Sequence, residues 1–517
     1  MFCCFPSNYP AGFYGFSLVD IINHLVLGFG VALTLPNLFF CFLGVLIGTL
    51  IGVLPGIGPV ATISILLPVT FGMEPVASII MLAGVYYGAM YGGSTTSILV
   101  NIPGEAASII TCLDGYQMAR SGRAGPALGI SAFGSFIGGT VSIIGLMILS
   151  PPLAGLALKF GPPEYFTLMV FGLTMVTYLC VGSLIKGLTM ALAGIAFSTI
   201  GQDPISGITR FTFGSLTLMD GIGIVPVAMG VFGIGEILAN IEANIKQDVY
   251  SAKIGSLFPT AKDWIACKWP IIRGTLIGFF MGILPGAGTV MPTFVAYGVE
   301  RRLSRHPEKF GTGVIEGVAS PETANNAATG SSMITLLSLG IPANLTMAVL
   351  LGAFITHGIQ PGPLLITRYP ALFWGTIASM YIGNAMLLIL NLPLIGMWVK
   401  ILKIPYNILF PLILLFCFLG VYSLNQNIHE IVIMVGFGVF GYLMRKFGFE
   451  GAPFLLALLL GPMMEIAFRQ SLLYGDPLIF FKRSISATLL IVSLFLLISS
   501  LFPKIARRRK ILEELED

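Results

Sequence analysis

The chain has 517 residues, of which 56% are hydrophobic and only 10% charged. Soluble domains carry about a quarter charged residues and could not bury this much apolar surface in cores of ordinary size, so a soluble globular protein is excluded and the solvent implied is lipid. The formal charge of +4 is small, and its cations cluster at the ends of apolar runs, which is a topology signal and not a nucleic-acid footprint.

At about 20 residues per crossing, the apolar runs predict an all-α polytopic membrane protein with about ten to twelve transmembrane helices. The alternating pattern of a lipid-embedded barrel is absent. Residues 1–17 (MFCCFPSNYPAGFYGFS) lack the charged start of a cleaved signal peptide and read as an N-terminal extension. The chain then divides into a first membrane repeat over 18–250, a second repeat core over 251–400, C-terminal transmembrane helices over 401–503 and a charged cytoplasmic tail over 504–517.

The repeat is read from two motifs in the same order. Residues 47–59 are IGTLIGVLPGIGP and residues 277–289 are IGFFMGILPGAGT. Each is followed by a segment of small polar residues ending in Ile-Pro: GGSTTSILVNIPG over 92–104 and TGSSMITLLSLGIP over 329–342. Many secondary transporters are built from such repeats, with the site at the repeat interface. Broken backbone survives at membrane depth only beside protein or a water-filled cavity.

The cations orient the two copies. No Lys or Arg precedes Arg120, whereas the second Pro-Gly motif has Lys262, Lys268 and Arg273 before it and Arg301, Arg302, Arg305 and Lys309 after it. Both flanks of the second motif are therefore expected in the cytoplasm. Too few residues lie between them for two full crossings, so residues 273–301 should enter and return as a re-entrant hairpin. Residues 43–72 should do so from the opposite face, giving two inverted repeats. Asp114, Arg120 and Arg123 read as a solvated cytoplasmic loop. Lys400 with Lys403, Arg445 with Lys446, and Lys482 with Arg483 read as cytoplasmic helix ends, but Lys482–Arg483 and Arg507–Lys510 flank one apolar run and cannot both be inside.

The residues that could carry chemistry lie in and around the repeated motifs. Ser94, Thr95, Thr96, Ser97 and Asn101 in the first half face Ser320, Glu322, Asn325, Asn326 and Ser331 in the second as candidate substrate and ion ligands. Hydroxyls, amides and freed carbonyls can replace the water shell of Na⁺, and Ser94, Thr95, Asn325 and Asn326 are the expected groups around it. The bland reading is that small polar residues let helices pack closely. Gly56, Gly58, Gly286 and Gly288 at the tips either present backbone N–H groups to a carboxylate or only permit a tight turn. Glu322, an ionisable group between apolar residues, either coordinates a cation or carries a proton.

His24, His306, His357 and His429 lack metal-ligand spacing, and the seven Cys residues form no disulfide or metal pattern. No protease, nucleophile-elbow or phosphate-loop motif is present, so the chain is not read as an enzyme. No cofactor is expected beyond Na⁺ as the coupling ion.

These same residues carry a family resemblance. The segments GVLPGIGPVATISILLPVTF (52–71), LAGVYYGAMYGGSTTSILVNIPGEAASIITCLDGYQMARSGRAGPALG (82–129), GVASPETANNAATGSSMITLLSLGIP (317–342) and GAFITHGIQPGPLL (352–365) closely resemble the large membrane subunit of the tripartite tricarboxylate transporter family. The resemblance implies a multi-pass protein of the bacterial cytoplasmic membrane that imports tricarboxylates or related small carboxylates by Na⁺ symport. It also implies two protein partners, a small membrane subunit and a periplasmic solute-binding protein that delivers substrate. The alternatives are a passive channel, or an ion-coupled anion transporter that works without a binding protein. One departure bears on substrate: Ile341-Pro342-Ala343-Asn344 stands where the family carries Gly-Ser after Ile-Pro.

Overall fold

A computed structural model of the protein describes residues 18–54, 58–179, 183–203, 205–243, 255–401, 406–474 and 477–499. The expected extension over 1–17, the tail over 504–517, the junction near residue 250 and the first tip at Gly56 lie outside them. Among the described residues the chain is almost wholly helical, with a single two-stranded antiparallel pair, β1 (Gly201–Gln202) and β2 (Thr209–Arg210). Six helices are long and apolar enough to cross a bilayer, and six shorter apolar helices of 10–17 residues accompany them.

The first unit comprises α1 (Leu18–Ala32), α2 (Leu35–Val53), α3 (Gly58–Thr70) and α4 (Pro75–Val100). A stripe of small residues explains how α2 meets α4. A Cβ on Gly44, Gly48 or Gly52 would fall 2.2–2.4 Å from the carbonyl oxygens of Met81, Val85 and Ala89 in turn. The two backbones are in contact, and only glycine fits between them. Because both numberings rise together, α2 and α4 run parallel.

Short turns follow α4, leading to α5 (Ala124–Ala157), α6 (Pro162–Leu179), α7 (Leu184–Ser198) and, beyond the β pair, α8 (Gly235–Ala243). The second unit is α9 (Ala261–Ile283), α10 (Val290–Leu303), α11 (Glu316–Leu339) and α12 (Leu345–Thr356). It repeats the packing of the first. A Cβ on Gly274 would fall 2.4 Å from the Ser320 carbonyl, one on Gly278 2.2 Å from that of Ala324, and one on Gly282 2.5 Å from that of Ala328. Thus α9 runs parallel to α11.

The two units cross in opposite directions. Ser94 on α4 reaches Glu322 on α11, while Tyr86, two turns earlier on α4, accepts a hydrogen bond from Asn344, beyond the far end of α11. As α4 advances α11 retreats, so the pair is antiparallel and the units are inverted relative to each other. The hairpin of α9 and α10 is closed at its base by Arg273, whose Nε and Nη2 donate to Glu300 at 2.6 and 2.7 Å. Arg273 and Glu300 each stand ten residues from the tip side of their helix, about 15 Å at 1.5 Å per residue.

The remaining helices are α13 (Pro370–Asn391), α14 (Tyr406–Asn425), α15 (Ile428–Lys446), α16 (Gly451–Tyr474) and α17 (Ser484–Ser499). Lys186, near the start of α7, donates to the Phe447 carbonyl at 2.8 Å, just beyond Arg445 and Lys446. At the start of α6, Glu164 accepts from Arg483 at 2.5 Å.

One expectation is corrected here. Asp114 is not in a solvated loop. It is fully buried, accepts from the backbone N–H groups of Gly311, Gly313 and Val314 at 2.8–3.1 Å, and takes the Tyr297 hydroxyl at 2.8 Å. Of the neighbouring cations, Arg123 pairs with Asp263 at 2.5 Å at the base of α9. An acid followed by two arginines looks solvated in sequence; a distant Gly-rich loop supplies the N–H groups that bury it.

Candidate functional site

The polar clusters were expected on broken helices, and here the structure differs. Gly92–Ser97 lies within the continuous helix α4, and Ser320–Ser332 lies within the continuous helix α11 despite Pro321. The breaks fall elsewhere, at the hairpin tips and just past each cluster. α4 ends at Asn101 and α11 at Gly340, both left-handed with φ of 60° and 73°, and each is followed by Ile-Pro. A left-handed cap ends a helix without leaving its last carbonyls buried and unpaired. The internal repeat is thus visible in backbone conformation as well as in sequence.

The inverted crossing of α4 over α11 brings most of the expected site residues together. Glu322 is 1% exposed. Its carboxylate accepts hydrogen bonds from the hydroxyls of Ser94, of Thr111 in the turns after α4, and of Ser131 on α5, the last at 3.1 Å. One turn along α11, Asn325 donates through Nδ2 to Glu105 at 3.1 Å. Glu105 also accepts from the Ala107 N–H at 2.6 Å. Ser97 donates to Ser108 at 2.8 Å, and Thr96 donates to the Val53 carbonyl at 2.6 Å at the end of α2.

Not every expected residue joins. Asn101 is exposed and serves as the cap of α4. Ser331 bonds the Ala328 carbonyl of its own helix, and Asn326 that of Glu322, at 3.3 Å each. Thr95 is buried on α4 beside Ser94. Ser320 Oγ and Asn325 Oδ1 are buried without a hydrogen-bond partner, and polar atoms rarely stay so unless a ligand or water completes them.

The two glycines of the second tip differ from each other. In the second hairpin the Gly286 N–H is already bonded to the Ala343 carbonyl at 2.7 Å, and a Cβ there would lie 2.4 Å from the Val176 nitrogen. Gly286 is therefore a packing residue against α6. Gly58 and Gly288 have φ of 66° and 60°, with open space where a Cβ would stand. These two positions fit a tip that can approach a ligand.

Glu105, Thr111 and Ser131 escaped the sequence reading. Glu105 carried a usable signal, since it is an acid within an apolar stretch that directly follows the Ile-Pro-Gly break. Thr111 and Ser131 carried none, because one hydroxyl among many becomes a ligand only through the tertiary crossing. A further buried network ties α4, α5 and α13 beside this site: Tyr91 donates to Asn384 at 2.6 Å, and Asn384 donates to the Phe136 carbonyl and the Thr140 hydroxyl at 3.0 Å each. The cavity between Tyr87, Asn326 and Asn384 measures about 20 Å³, room for roughly one water. Among the described residues no group of His, Cys, Asp and Glu has the makings of a multidentate metal centre.

Comparison with known proteins agrees with this architecture. Residues 38–456 match the family described as tripartite tricarboxylate transporter TctA. A relative from Agrobacterium vitis, described as an uncharacterized 52.8 kDa protein in the TAR-I ttuC' 3' region, is 51% identical over 494 residues, covering 95% of this chain and 98% of the relative. A second, described as an uncharacterized protein in the TAR-II ttuC' 3' region of the same organism, is 50% identical over 234 residues, covering 45% of this chain and 97% of its own length. No solved structure matches the chain. With inverted hairpin units meeting at a buried polar crossing, and with a family match over most of its length, this chain belongs to the tripartite tricarboxylate transporter TctA family.

Proposed function

We propose that the chain is the substrate-translocating subunit of a binding-protein-dependent secondary transporter of the bacterial cytoplasmic membrane, importing tricarboxylates or related small carboxylates by Na⁺ symport. The observation that carries this reading is the meeting of two inverted units at a buried crossing that holds Glu322, Glu105 and the unpartnered oxygens of Asn325 and Ser320. Inverted units with re-entrant tips support alternating access around a fixed site. A small membrane subunit and a periplasmic solute-binding protein are the partners this reading requires.

The residue assignments follow the same logic. The oxygens of Ser94, Thr95 and Asn325, with Asn326 beside them, are suited to Na⁺, a hard cation that prefers neutral and anionic oxygen. The substrate carboxylates need donors or co-bound cations, since an unpaired charge in low dielectric is very costly, and neither tip nor polar segment contains Lys or Arg. The open tips at Gly58 and Gly288 supply backbone N–H groups there, with Gly56 as their neighbour in the first hairpin, and bound Na⁺ offsets the remaining charge.

Reconstitution of the chain with its small subunit and citrate-loaded binding protein tests the proposal. A Na⁺ gradient should accumulate citrate above its outside concentration, and omission of Na⁺ should abolish accumulation. Equilibration without accumulation would make the protein a channel, and full accumulation without Na⁺ would remove Na⁺ as the coupling ion.

A further inference from the structure

The register that sets the left-handed cap Asn101 against Gly340 continues past both helices. It sets Ile102-Pro103-Gly104-Glu105 against Ile341-Pro342-Ala343-Asn344, and within the long helices it sets Tyr86 of α4 against Asn325 of α11. Glu105 and Asn344 share an extended backbone, with φ of −146° and −152°. Each caps the helical turn that follows it: Glu105 accepts from the Ala107 N–H at 2.6 Å, and Asn344 Oδ1 from the Met347 N–H at 2.9 Å. Each side chain also crosses to the opposite unit. Asn325 donates to Glu105 at 3.1 Å, and Asn344 donates to Tyr86 at 2.9 Å. These two bonds join residues that the repeat makes equivalent, so they are two copies of one clasp, related by the inversion of the units.

The residue before each cap touches its own hairpin. A Cβ on Gly104 would fall 2.1 Å from the Gly52 carbonyl oxygen near the end of α2. In the second unit the Ala343 carbonyl accepts from the Gly286 N–H of the tip at 2.7 Å. That carbonyl belongs to the peptide joining Ala343 to Asn344, and a planar peptide turns as one body. Pro342 fixes φ just before it, and the Asn344 side chain is bonded to both α12 and α4. The tip is therefore held by a carbonyl whose direction Asn344 sets. Because the Met347 N–H can only donate, the amide must face Tyr86 with its NH₂ group. The Tyr86 oxygen is then an acceptor, and its own proton is left to the hydroxyls of Ser332 and Thr329 on α11.

We propose that Asn344, acting through Tyr86, is a positioning residue of the transport site that holds the second hairpin tip, with its open Gly288, in register with α4. A residue that only capped α12 would need no partner on α4. The consequence for substrate rests on the transport reading, whereas the clasp itself is measured without substrate.

Hydrogen–deuterium exchange of the full chain in nanodiscs, without ligand, reads the tip through peptides covering residues 284–290. Tyr86→Phe removes one oxygen on α4 and leaves the α12 cap untouched. Tip exchange should nevertheless quicken about three- to tenfold, the effect of losing one hydrogen bond, while the first turn of α12 keeps its protection. Asn344→Ser keeps a capping oxygen but is too short to reach Tyr86, and should act in the same way. The double variant should add nothing to either single one. Unchanged tip exchange in Tyr86→Phe would overturn the proposal, and so would additive effects in the double variant. In citrate uptake, Tyr86→Phe should raise KM with the maximal rate retained; loss of rate at constant KM would reduce the pair to a structural contact and overturn the positioning role. A wild type that takes up no citrate would sink the transport reading, and the exchange measurement would still decide the clasp.

Discussion

Asp114 shows how one residue can hold two distant segments together. Its buried carboxylate is the acceptor for three backbone N–H groups of the loop before α11. Asp114→Ala would leave buried donors unpaired and should cost about 2–3 kcal/mol, read as a lower melting temperature of the purified protein. Asp114→Asn keeps one acceptor oxygen and should lose roughly half as much. The tip glycines give a second prediction. Gly58→Ala and Gly288→Ala meet no atom but force a left-handed φ on alanine, costing about 1–2 kcal/mol, and citrate affinity should fall beyond that. Gly288→Asn, which tolerates the left-handed region better, should fold more readily and still bind weakly. Affinity unchanged in folded variants at both positions would reduce these glycines to turn formers.

Asp203 supplies a pH dependence at the same scale. Backbone N–H groups of Ser206 and Ile205, then Arg469, hold its carboxyl down at about 2. A depressed carboxyl contributes stability that is complete above its unfolded value, about 4, and is lost as pH falls through the folded one. The clasp of Asp203, Arg210, Glu465 and Arg469, with contacts from 2.5 to 3.7 Å, should therefore hold the paired strands in full down to about pH 4 and weaken progressively as pH falls toward about 2. Proteolysis of the exposed stretch around Phe213, which is 90% exposed, would follow that weakening and should stay flat between neutral pH and about pH 5.

At the scale of elements, the repeat is held by backbone contact. Gly48 lies against Val85 of α4 as Gly278 lies against Ala324 of α11. Gly48→Val and Gly278→Val each push a helix away from its neighbour and should prevent recovery of monodisperse protein in detergent, while Gly30→Val, with open space around it, should not. The hairpin base makes a different demand. Glu300 is 3% exposed and paired to Arg273, so Arg273→Ala leaves a buried acid unpaired, at a cost of about 3–5 kcal/mol. Arg273→Ala with Glu300→Gln should recover part of that loss in thermal unfolding, whereas unchanged stability in the single variant would deny the pair its role in closing the hairpin.

For the whole molecule, inversion of the two units is the organising fact. Cysteine substituted at Glu74 or Phe213, with the native Cys residues replaced, should react with an impermeant reagent from outside intact cells. Cysteine at Arg301 should react only after the membrane is opened. Labelling of Glu74 and Arg301 positions from one side would contradict the antiparallel crossing of α4 and α11.

What the sequence determined by itself is what one-dimensional physics can carry: apolar length, helix-breaking Pro-Gly motifs, their recurrence, and a cation bias that alternates between faces. Those signals already specified a polytopic helical membrane protein with a repeated pair of helices around each Pro-Gly motif. They could not tell that α4 and α11 continue unbroken through their serine clusters, because helix continuity there depends on packing from every side. They misplaced Asp114, since the loop N–H groups that bury it are remote in sequence. The gathering of Ser94, Thr111 and Ser131 on Glu322 was decided by the tertiary structure alone. Hydroxyl ligands have no spacing rule, and only the crossing of three helices makes them neighbours.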